Sequence, residues 1–275
     1  MKTRIIPSHV IFLSIALLGL AACTTVPETG RRQFISPLIT PASEAQMGLD
    51  SFEQIKKEEK ISTNAAASAR VRNVGQRIAN SVGRDMTNAA WEFVLFESTE
   101  VNAFALPGGK VAVYTGLLNL VSSDDELAVV MGHEIAHVTS RHGAERMSQN
   151  QIANIGAQLG AVFMNYKGLS ASTQSTVMQL YGLGAQVGAL LPFSREHEHE
   201  ADKIGLRFAA QAGYDPRAGA AFWKKMSSAK SSQSGAASAL EKYLSTHPLD
   251  SERIANLEKL APEYMPIYEQ AKRNF

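Results

Sequence analysis

The 275-residue chain lacks several features that mark particular protein classes. Its 27 basic and 26 acidic residues leave a formal net charge of +1, so no global charge attracts a polyanion and we expect no nucleic-acid partner. No internal repeat is visible, which excludes a repeat array. No apolar run reaches the roughly 18–20 residues that cross a bilayer as a helix. The 45% hydrophobic content is nevertheless enough to build a globular core.

Two apolar segments come nearest to the length of a membrane span. Residues 152–164 and 177–191 are each interrupted by Gln, Asn or Gly and are too short to cross a bilayer. We interpret both as buried or lid-like helices, with membrane contact as the alternative.

The chain has a single cysteine, Cys23, which excludes an intrachain disulfide. It follows a positively charged start with Lys2 and Arg4, an apolar stretch over residues 10–20, and then Leu-Ala-Ala. This order resembles the bacterial lipobox, in which the cysteine is lipidated and becomes the mature N-terminus. The alternative is a plain secretory signal with an accidental cysteine.

The lipobox resemblance implies a lipoprotein signal peptide over residues 1–22 and a lipid on Cys23. Residues 23–42 are rich in Pro, Thr and Gly, and we predict that they form the linker from the lipid anchor. Thr24 fits the sorting pattern of Gram-negative lipoproteins, in which a residue other than Asp after the cysteine permits transfer to the outer membrane. The expected location is the periplasm, with acyl chains anchoring the protein to the outer membrane.

Apolar side chains recur at helical spacing in two segments that follow the linker. Residues 43–60 are predicted to form a helix with Ser43 as the candidate N-cap, and residues 65–82 repeat the pattern. From Asp124 onward nearly all of the sequence is predicted to be helical. A Ser/Ala/Gly-rich stretch at residues 229–239 is predicted to be a mobile loop.

A small sheet is predicted between these helical regions. Residues 91–96 are aromatic and β-branched, which is typical of a strand. Residues 101–106 and 110–114 flank a Pro-Gly-Gly turn and predict a strand–turn–strand. The fold class is therefore expected to be α+β and mainly helical.

Residues 133–137 read His-Glu-Ile-Ala-His and carry the clearest chemical signal in the chain. Residues four apart lie on one face of a helix, so His133 and His137 can direct ring nitrogens at the same ion. Zinc accepts two imidazoles well. Glu134 lies next to the first ligand and can act as general base on a water molecule whose pKa the metal lowers.

A catalytic zinc usually takes a third protein ligand, and residues 193–205 (FSREHEHEADKIG) offer several. Glu198 and Asp202 are four apart and share a helix face, so one can bind the metal while the other supports a ligand. Spacing alone leaves the choice open, because the other candidates in the segment are Glu196, His197, His199 and Glu200.

The HEIAH motif followed by the Ser-Arg-x-x-Glu-x-Glu-Ala-Asp segment resembles the gluzincin metalloproteases related to HtpX, the CAAX prenyl proteases, BepA and LoiP. The resemblance implies one Zn²⁺ per chain, Glu198 as the third ligand, and Asp202 as the residue that orients a zinc histidine or assists as proton donor. The remaining charged residues of the segment, Glu196, His197, His199 and Glu200, are then assigned to the solvated surface.

Two further segments strengthen this resemblance. Residues 101–109 are similar to the family segment before the catalytic helix, where an edge strand binds substrate backbone, which makes Asn102 and Ala103 candidate substrate contacts. A β-turn without substrate contact is the alternative. Residues 246–254 resemble a His-Pro…Arg element, which implies that Arg253 or His247 stabilises the oxyanion. His247 could instead occupy the fourth zinc position and hold the enzyme latent.

The sequence therefore predicts a zinc metalloprotease domain over residues 43–275, with the small sheet packed beside the HEIAH helix. The missing membrane spans favour the periplasmic, lipoprotein-type branch of the family. We expect an endopeptidase that hydrolyses unfolded or misassembled envelope proteins. The alternative is a chaperone-like factor that works with the outer-membrane assembly machinery and whose proteolysis is latent or secondary. The side chains of His142, Trp223 and Tyr243 are predicted to serve structure and packing.

Overall fold

The computed structural model describes most of the chain outside the first 22 residues. The described residues are 23–86, 89–167, 170–173, 175–176, 194–231, 236–249 and 251–274. The chain divides into two compact units, one drawn from Met1–Thr40 and Gly143–Leu190 and the other from Pro41–His142 and Leu191–Phe275.

Helices dominate the described residues, and the strands are short. The order of elements is β1 Cys23–Thr25, β2 Arg32–Phe34, α1 Pro41–Glu58, α2 Ala65–Val82, β3 Glu92–Phe96, β4 Ala103–Leu106, β5 Lys110–Tyr114, α3 Thr115–Leu120, α4 Asp124–Thr139, α5 His142–Tyr166, α6 Arg195–Gln211, α7 Ala218–Ser231, α8 Ala236–Thr246 and α9 Ser251–Lys272. This architecture confirms the prediction of a mainly helical α+β fold.

The larger unit contains a three-stranded sheet in the order β3-β5-β4. Strand β3 runs parallel to β5, whereas β4 runs antiparallel to β5 with Ala103 opposite Val113. The hairpin turn between β4 and β5 places Gly108 and Gly109 at φ of 87° and 86°, a conformation that favours glycine. Strand β4 lies at the edge of this sheet and packs against α4, as the sequence predicted.

The helices before the sheet follow the predicted periodicity closely. Helix α2 has the predicted bounds, and Asn64 caps it by accepting a hydrogen bond from Ala67 N at 3.0 Å. Helix α1 begins at Pro41, two residues before the predicted Ser43. Proline is favoured in the first helical turn because its φ is already helical and no partner for its missing N–H is required there.

Two glycines allow α4 and α6 to cross with their backbones in contact. A Cβ on Gly132 would lie 2.8 Å from the Gly205 carbonyl oxygen, and a Cβ on Gly205 would lie 2.7 Å from His133 N. Larger residues would therefore push the helices apart. The close crossing brings the acidic segment of α6 against the HEIAH segment of α4.

Helix α5 corrects one prediction. Segment 152–164 was expected to form a buried or lid-like helix, with membrane contact as the alternative, and burial is wrong because Leu159 is 64% exposed and Val162 is 66% exposed. They recur at helical spacing on one face with other exposed apolar residues, namely Ile152, Ile155 and Phe163. Apolar composition favours burial, but Met164 is the only residue of segment 152–164, all of which is described, that is buried. The companion segment 177–191 lies outside the described residues.

The stretch at residues 229–239, which was predicted to be a mobile loop, is helical at both of its ends. Helix α7 continues to Ser231 and helix α8 begins at Ala236, so helical structure extends into the stretch from both ends. Alanine favours helix, which outweighs the Ser and Gly content of the flanks. Residues 232–235 lie outside the described residues.

In the smaller unit, the residues predicted as a linker contain regular structure. Strands β1 and β2 form an antiparallel ladder with Cys23 opposite Phe34. Ile35 is buried against Ala144 of α5. Over the part of the chain that is described, every helix is too short or too polar to cross a membrane.

Candidate active site

Four buried side chains from three parts of the larger unit converge on one point. His133, His137, Glu198 and His247 each offer a ligand atom, and these atoms all lie within 4.8 Å of one another. The two α4 histidines are one helical turn apart, Glu198 comes from the first turn of α6, and His247 directly follows α8.

The spacing of these donor atoms fits a tetrahedral zinc site. Ligand atoms about 2.0–2.1 Å from zinc would be separated by roughly 3.3 Å at tetrahedral angles. The Nε2 atoms of His133 and His137 are 3.1 Å apart, and His137 Nε2 lies 3.2 Å from Glu198 Oε1. His247 Nδ1 lies 3.3 Å from His133 Nε2 and 3.1 Å from Glu198 Oε1. Two or three imidazoles with one carboxylate are a donor set that suits zinc.

Asp202 contacts the first histidine and is itself held by an arginine. His133 Nδ1 lies 2.9 Å from Asp202 Oδ1. Arg253 is 1% exposed and donates from Nε and Nη2 to the Asp202 oxygens at 2.6 and 2.8 Å. Because Asp202 lies one turn after Glu198 on α6, both carboxylates face α4.

Burial and charge together set the protonation of this cluster. Burial alone would raise the pKa of Glu198 and of Asp202, but the Arg253 guanidinium and the neighbouring histidines hold both values below their ordinary range. Burial and Arg253 alone would lower the pKa of His133, but its bonds to Asp202 and Glu198 raise that pKa to about 9. Burial lowers the pKa of His137 well below its ordinary value.

The guanidinium of Arg253 bonds to the carboxylates of the site, which favours a role in holding them over a role in contacting a substrate. Its Nη1 lies 2.5 Å from Glu198 Oε2, in addition to its bonds to Asp202. Its guanidinium also stacks on the Trp223 ring, 3.8 Å from the centroid. Trp223, which the sequence assigned to packing, therefore fixes the arginine that holds the site.

Tyr243 was also assigned to packing, and the structure places its hydroxyl in the site. The hydroxyl donates to Glu134 Oε1 at 3.0 Å, and His247 Nε2 lies 3.5 Å from the same oxygen. Tyr243 and His247 are four residues apart, and their rings pack with centroids 4.6 Å apart. This helical spacing was the sequence signal that could have linked the two residues.

The assignment of the whole remainder of the acidic segment to the surface was wrong for two residues. Glu196 is exposed and His199 is partly buried, but His197 and Glu200 are only 4% and 6% exposed. Glu200 Oε2 lies 2.8 Å from His142 Nε2, and the His197 ring stacks on the His142 ring. Helix α6 is buried on more than one face, so its opposite side contacts protein instead of solvent.

The candidate substrate residues lie at the start of the edge strand. The Asn102 carbonyl accepts from Tyr114 N at 3.0 Å and therefore belongs to the sheet ladder. Antiparallel pairing alternates, so the backbone groups of Ala103 and Ala105 point away from β5 toward the free edge of β4. Ala103 is 2% exposed, whereas Ala105 is partly exposed.

A helix that carries His-Glu-x-x-His, a glutamate from a second helix, and an aspartate that supports the first histidine define a metallopeptidase site of the gluzincin type. The sequence pattern of Peptidase family M48 matches residues 65–261, which is more than half of the chain. The chain belongs to this family, as its motifs predicted.

Relatives with assigned activities agree with this family. The chain is 34% identical over 241 residues to the mitochondrial metalloendopeptidase OMA1 of Schizosaccharomyces pombe, covering 86% of this chain and 66% of the relative. It is 29% identical over 259 residues to the beta-barrel assembly-enhancing protease of Escherichia coli K12, covering 91% and 50%. It is 36% identical over 182 residues to the mitochondrial metalloendopeptidase OMA1 of Bos taurus, covering 65% and 34%. The chain thus spans from 34% to 66% of the length of these relatives.

Proposed function

We propose that this chain is a zinc-dependent endopeptidase that hydrolyses unfolded or misassembled proteins of the periplasm and outer membrane. The observation that carries the activity is the buried cluster of His133, His137 and Glu198 with Glu134 beside it. Family membership supports the same reaction, as do relatives whose names describe metalloendopeptidases and a protease.

The residues of the cluster divide the chemistry among them. One zinc ion held by His133, His137 and Glu198 would supply a Lewis acid that polarises the scissile carbonyl and lowers the pKa of water. Glu134 takes a proton from the attacking water and delivers it to the leaving amine. Asp202 is the orienting residue, because its oxygens bind His133 and Arg253 and its lowered pKa keeps it ionised.

The edge strand β4 is the proposed substrate platform. At its free edge the partly exposed Ala105 offers a backbone donor and acceptor, whereas Ala103 is buried. A peptide that pairs there would need only an extended conformation. Backbone pairing is independent of side-chain identity, and unfolded chains expose extended backbone. This geometry supports unfolded proteins as the substrate class.

The envelope location rests on the N-terminal pattern and on one relative. Cys23 is exposed, so a lipid attached to its sulfur would meet no packed core. The name of the Escherichia coli relative places its activity in β-barrel assembly, which favours outer-membrane substrates for this chain. We propose lipidation of Cys23, anchoring to the outer membrane, and contact with the assembly machinery there.

The test compares cleavage of an unfolded protein by matched variants. The chain from Thr24 and its Glu134→Gln variant are loaded with zinc, checked for one metal per chain, and incubated with casein. The wild-type protein is expected to cleave, whereas the variant loses about 10²–10⁴-fold in rate because the general base is absent. Glu196→Gln makes the same substitution at an exposed position of α6 and should retain full activity. A wild-type protein that binds no zinc would refute the proposal.

A second candidate function is a chaperone-like role in outer-membrane assembly. The observation that favours it is the exposed apolar face of α5, which includes Leu159 and Val162 and could hold unfolded chains. The discriminating experiment expresses Glu134→Gln in a strain that lacks the gene. Rescue of the envelope defect by this inactive variant would make binding the leading function, and failure to rescue would support proteolysis.

A further inference from the structure

A line of buried hydrogen bonds leads away from the second zinc-ligand candidate. His137 Nδ1 lies 2.8 Å from His142 Nδ1, and His142 Nε2 lies 2.8 Å from Glu200 Oε2. His142 is 0% exposed and Glu200 is 6% exposed. This His137–His142–Glu200 line runs on the side of His137 opposite to the metal cluster, because His137 faces that cluster with Nε2.

Proton counting fixes the direction of these bonds. An ionised Glu200 only accepts, so His142 must carry a proton on Nε2. A neutral His142 then presents a bare Nδ1, which accepts the proton on His137 Nδ1. That proton leaves the His137 Nε2 lone pair free to face the cluster. The opposite direction would place the His137 proton on Nε2, where it would block metal binding.

The fold holds the middle residue of this line in place from both sides. Helix α4 ends at Thr139, and Arg141 adopts φ of 54°, a left-handed conformation typical of a helix end, directly before His142. Arg141 is locked by Glu44, with its Nε 2.7 Å from the carboxylate. The His197 ring stacks on the His142 ring with centroids 4.3 Å apart and 21° between planes.

Each of the two α4 histidines is therefore held by a carboxylate of helix α6, but by a different route. His133 reaches the carboxylate of Asp202 directly, whereas His137 reaches the carboxylate of Glu200 through His142. Partners of this kind fix the tautomer and ring orientation of metal-binding histidines. Helix α6 would thus supply one zinc ligand and the supports of both histidines.

We propose that His142 and Glu200 are positioning residues that hold His137 in the tautomer with a free Nε2. The inference rests on the zinc site of the proposed function and concerns metal affinity, not cleavage. It assigns a role to His142 and Glu200, neither of which is a member of the metal cluster.

Zinc affinity and the His137 tautomer test the proposal directly. His142→Phe keeps a ring against His197 but removes both nitrogens, and Glu200→Leu removes the acceptor. Each variant is expected to weaken zinc binding about 10–100-fold in competition with a chromophoric chelator. Glu200→Gln, which retains an acceptor oxygen, should bind more tightly than Glu200→Leu. Glu196→Gln on the exposed face of α6 should bind as wild type does.

Nitrogen NMR of ¹⁵N-histidine-labelled protein supplies the readout that a purely structural role would not move. In the zinc-loaded wild-type protein, the ¹⁵N signal of His137 Nδ1 should be that of a protonated ring nitrogen. In Glu200→Leu this signal should disappear or show a mixture of the two tautomers. Thermal unfolding of each metal-free variant checks that it is folded, and either His142→Phe or Glu200→Leu in folded form is sufficient for the test. Wild-type-like affinity together with an unchanged His137 signal in folded variants would overturn the inference. Failure of the wild-type protein to bind zinc would instead overturn the proposed function.

Discussion

The Tyr243 hydroxyl donates a hydrogen bond of 3.0 Å to Glu134 Oε1. The bond joins helix α8 to helix α4, although the two residues are more than a hundred positions apart in the sequence. Burial and the charge of Glu134 hold the pKa of Tyr243 well above its ordinary value, so that the hydroxyl stays protonated and remains a donor. Glu134 is thereby fixed beside the metal cluster without being a member of it. The pairing gives the proposed general base a defined orientation.

Replacing Tyr243 by Phe tests this orientation. The ring packing on His247 remains, but the bond to the carboxylate is lost, which is worth about 1.5–3 kcal/mol for a charged partner. We expect kcat on an unfolded substrate to fall about ten- to a hundredfold at unchanged zinc content. Tyr166→Phe, at a position that is 83% exposed, serves as control and should leave kcat unchanged. A rise in kcat would show that the tyrosine restrains Glu134 instead of aligning it.

Removing His247 decides whether this residue holds the enzyme latent. Its Nδ1 lies at the spacing of a fourth ligand, 3.3 Å from His133 Nε2 and 3.1 Å from Glu198 Oε1. If it occupies the position that water needs, His247→Ala should raise casein cleavage several-fold while zinc remains bound. His199→Ala, outside the cluster, should cleave as wild type does. Unchanged or lower cleavage would contradict latency, and only lower cleavage would favour a role for His247 in the transition state.

A proline in strand β4 tests backbone recognition of the substrate. The Ala105 N–H points to the free edge, so Ala105→Pro removes a donor without breaking the ladder to β5. We expect kcat/KM for an extended fluorogenic peptide to fall about tenfold, equivalent to one hydrogen bond, with little change in Tm. Phe104→Pro removes an N–H that faces β5 and should instead lower Tm. An unaffected kcat/KM in folded Ala105→Pro would exclude strand addition at this position.

Metal removal should destabilise the larger unit. A ligand that binds only the folded state stabilises it by about 4 kcal/mol when its free concentration is a thousand times Kd. For a chain of this size, chelation should therefore lower Tm by about 10 °C, measured by calorimetry in excess zinc and after chelation. Glu198→Ala removes a ligand candidate and should lose most of the zinc-dependent increase. An equal increase in that variant would indicate a different zinc site.

Zinc binding should also release a proton near neutral pH. The pKa of His133 in the metal-free protein is raised to about 9, so this residue is protonated at pH 7.5 and must lose its proton to bind zinc. The pKa of His137 is lowered, so that residue is already neutral. Calorimetric titrations in two buffers of different ionisation enthalpy should give about one proton per zinc at pH 7.5, falling toward zero above pH 9. A release of zero at pH 7.5 would contradict the assignment.

The parts of this protein that local sequence determines are those set by periodicity and short motifs. The bounds of α2 follow from apolar residues at helical spacing and an Asn N-cap. The sheet follows from β-branched runs and a Pro-Gly-Gly turn. The HEIAH segment was predicted to place both histidines on one helix face, and it lies in α4, which Ser123 caps. Family resemblance, and not spacing, selected Glu198 from the acidic segment.

Tertiary structure alone decided which partners surround those motifs. Tyr243 and Trp223 look like ordinary packing residues, because nothing local shows that the first meets Glu134 and the second meets Arg253. Helix α6 packs against α4, α9 and α2, so it is buried on more than one face and Glu200 meets His142 instead of water. Helical spacing specifies which residues share a face, but only the packing of distant elements specifies what that face contacts.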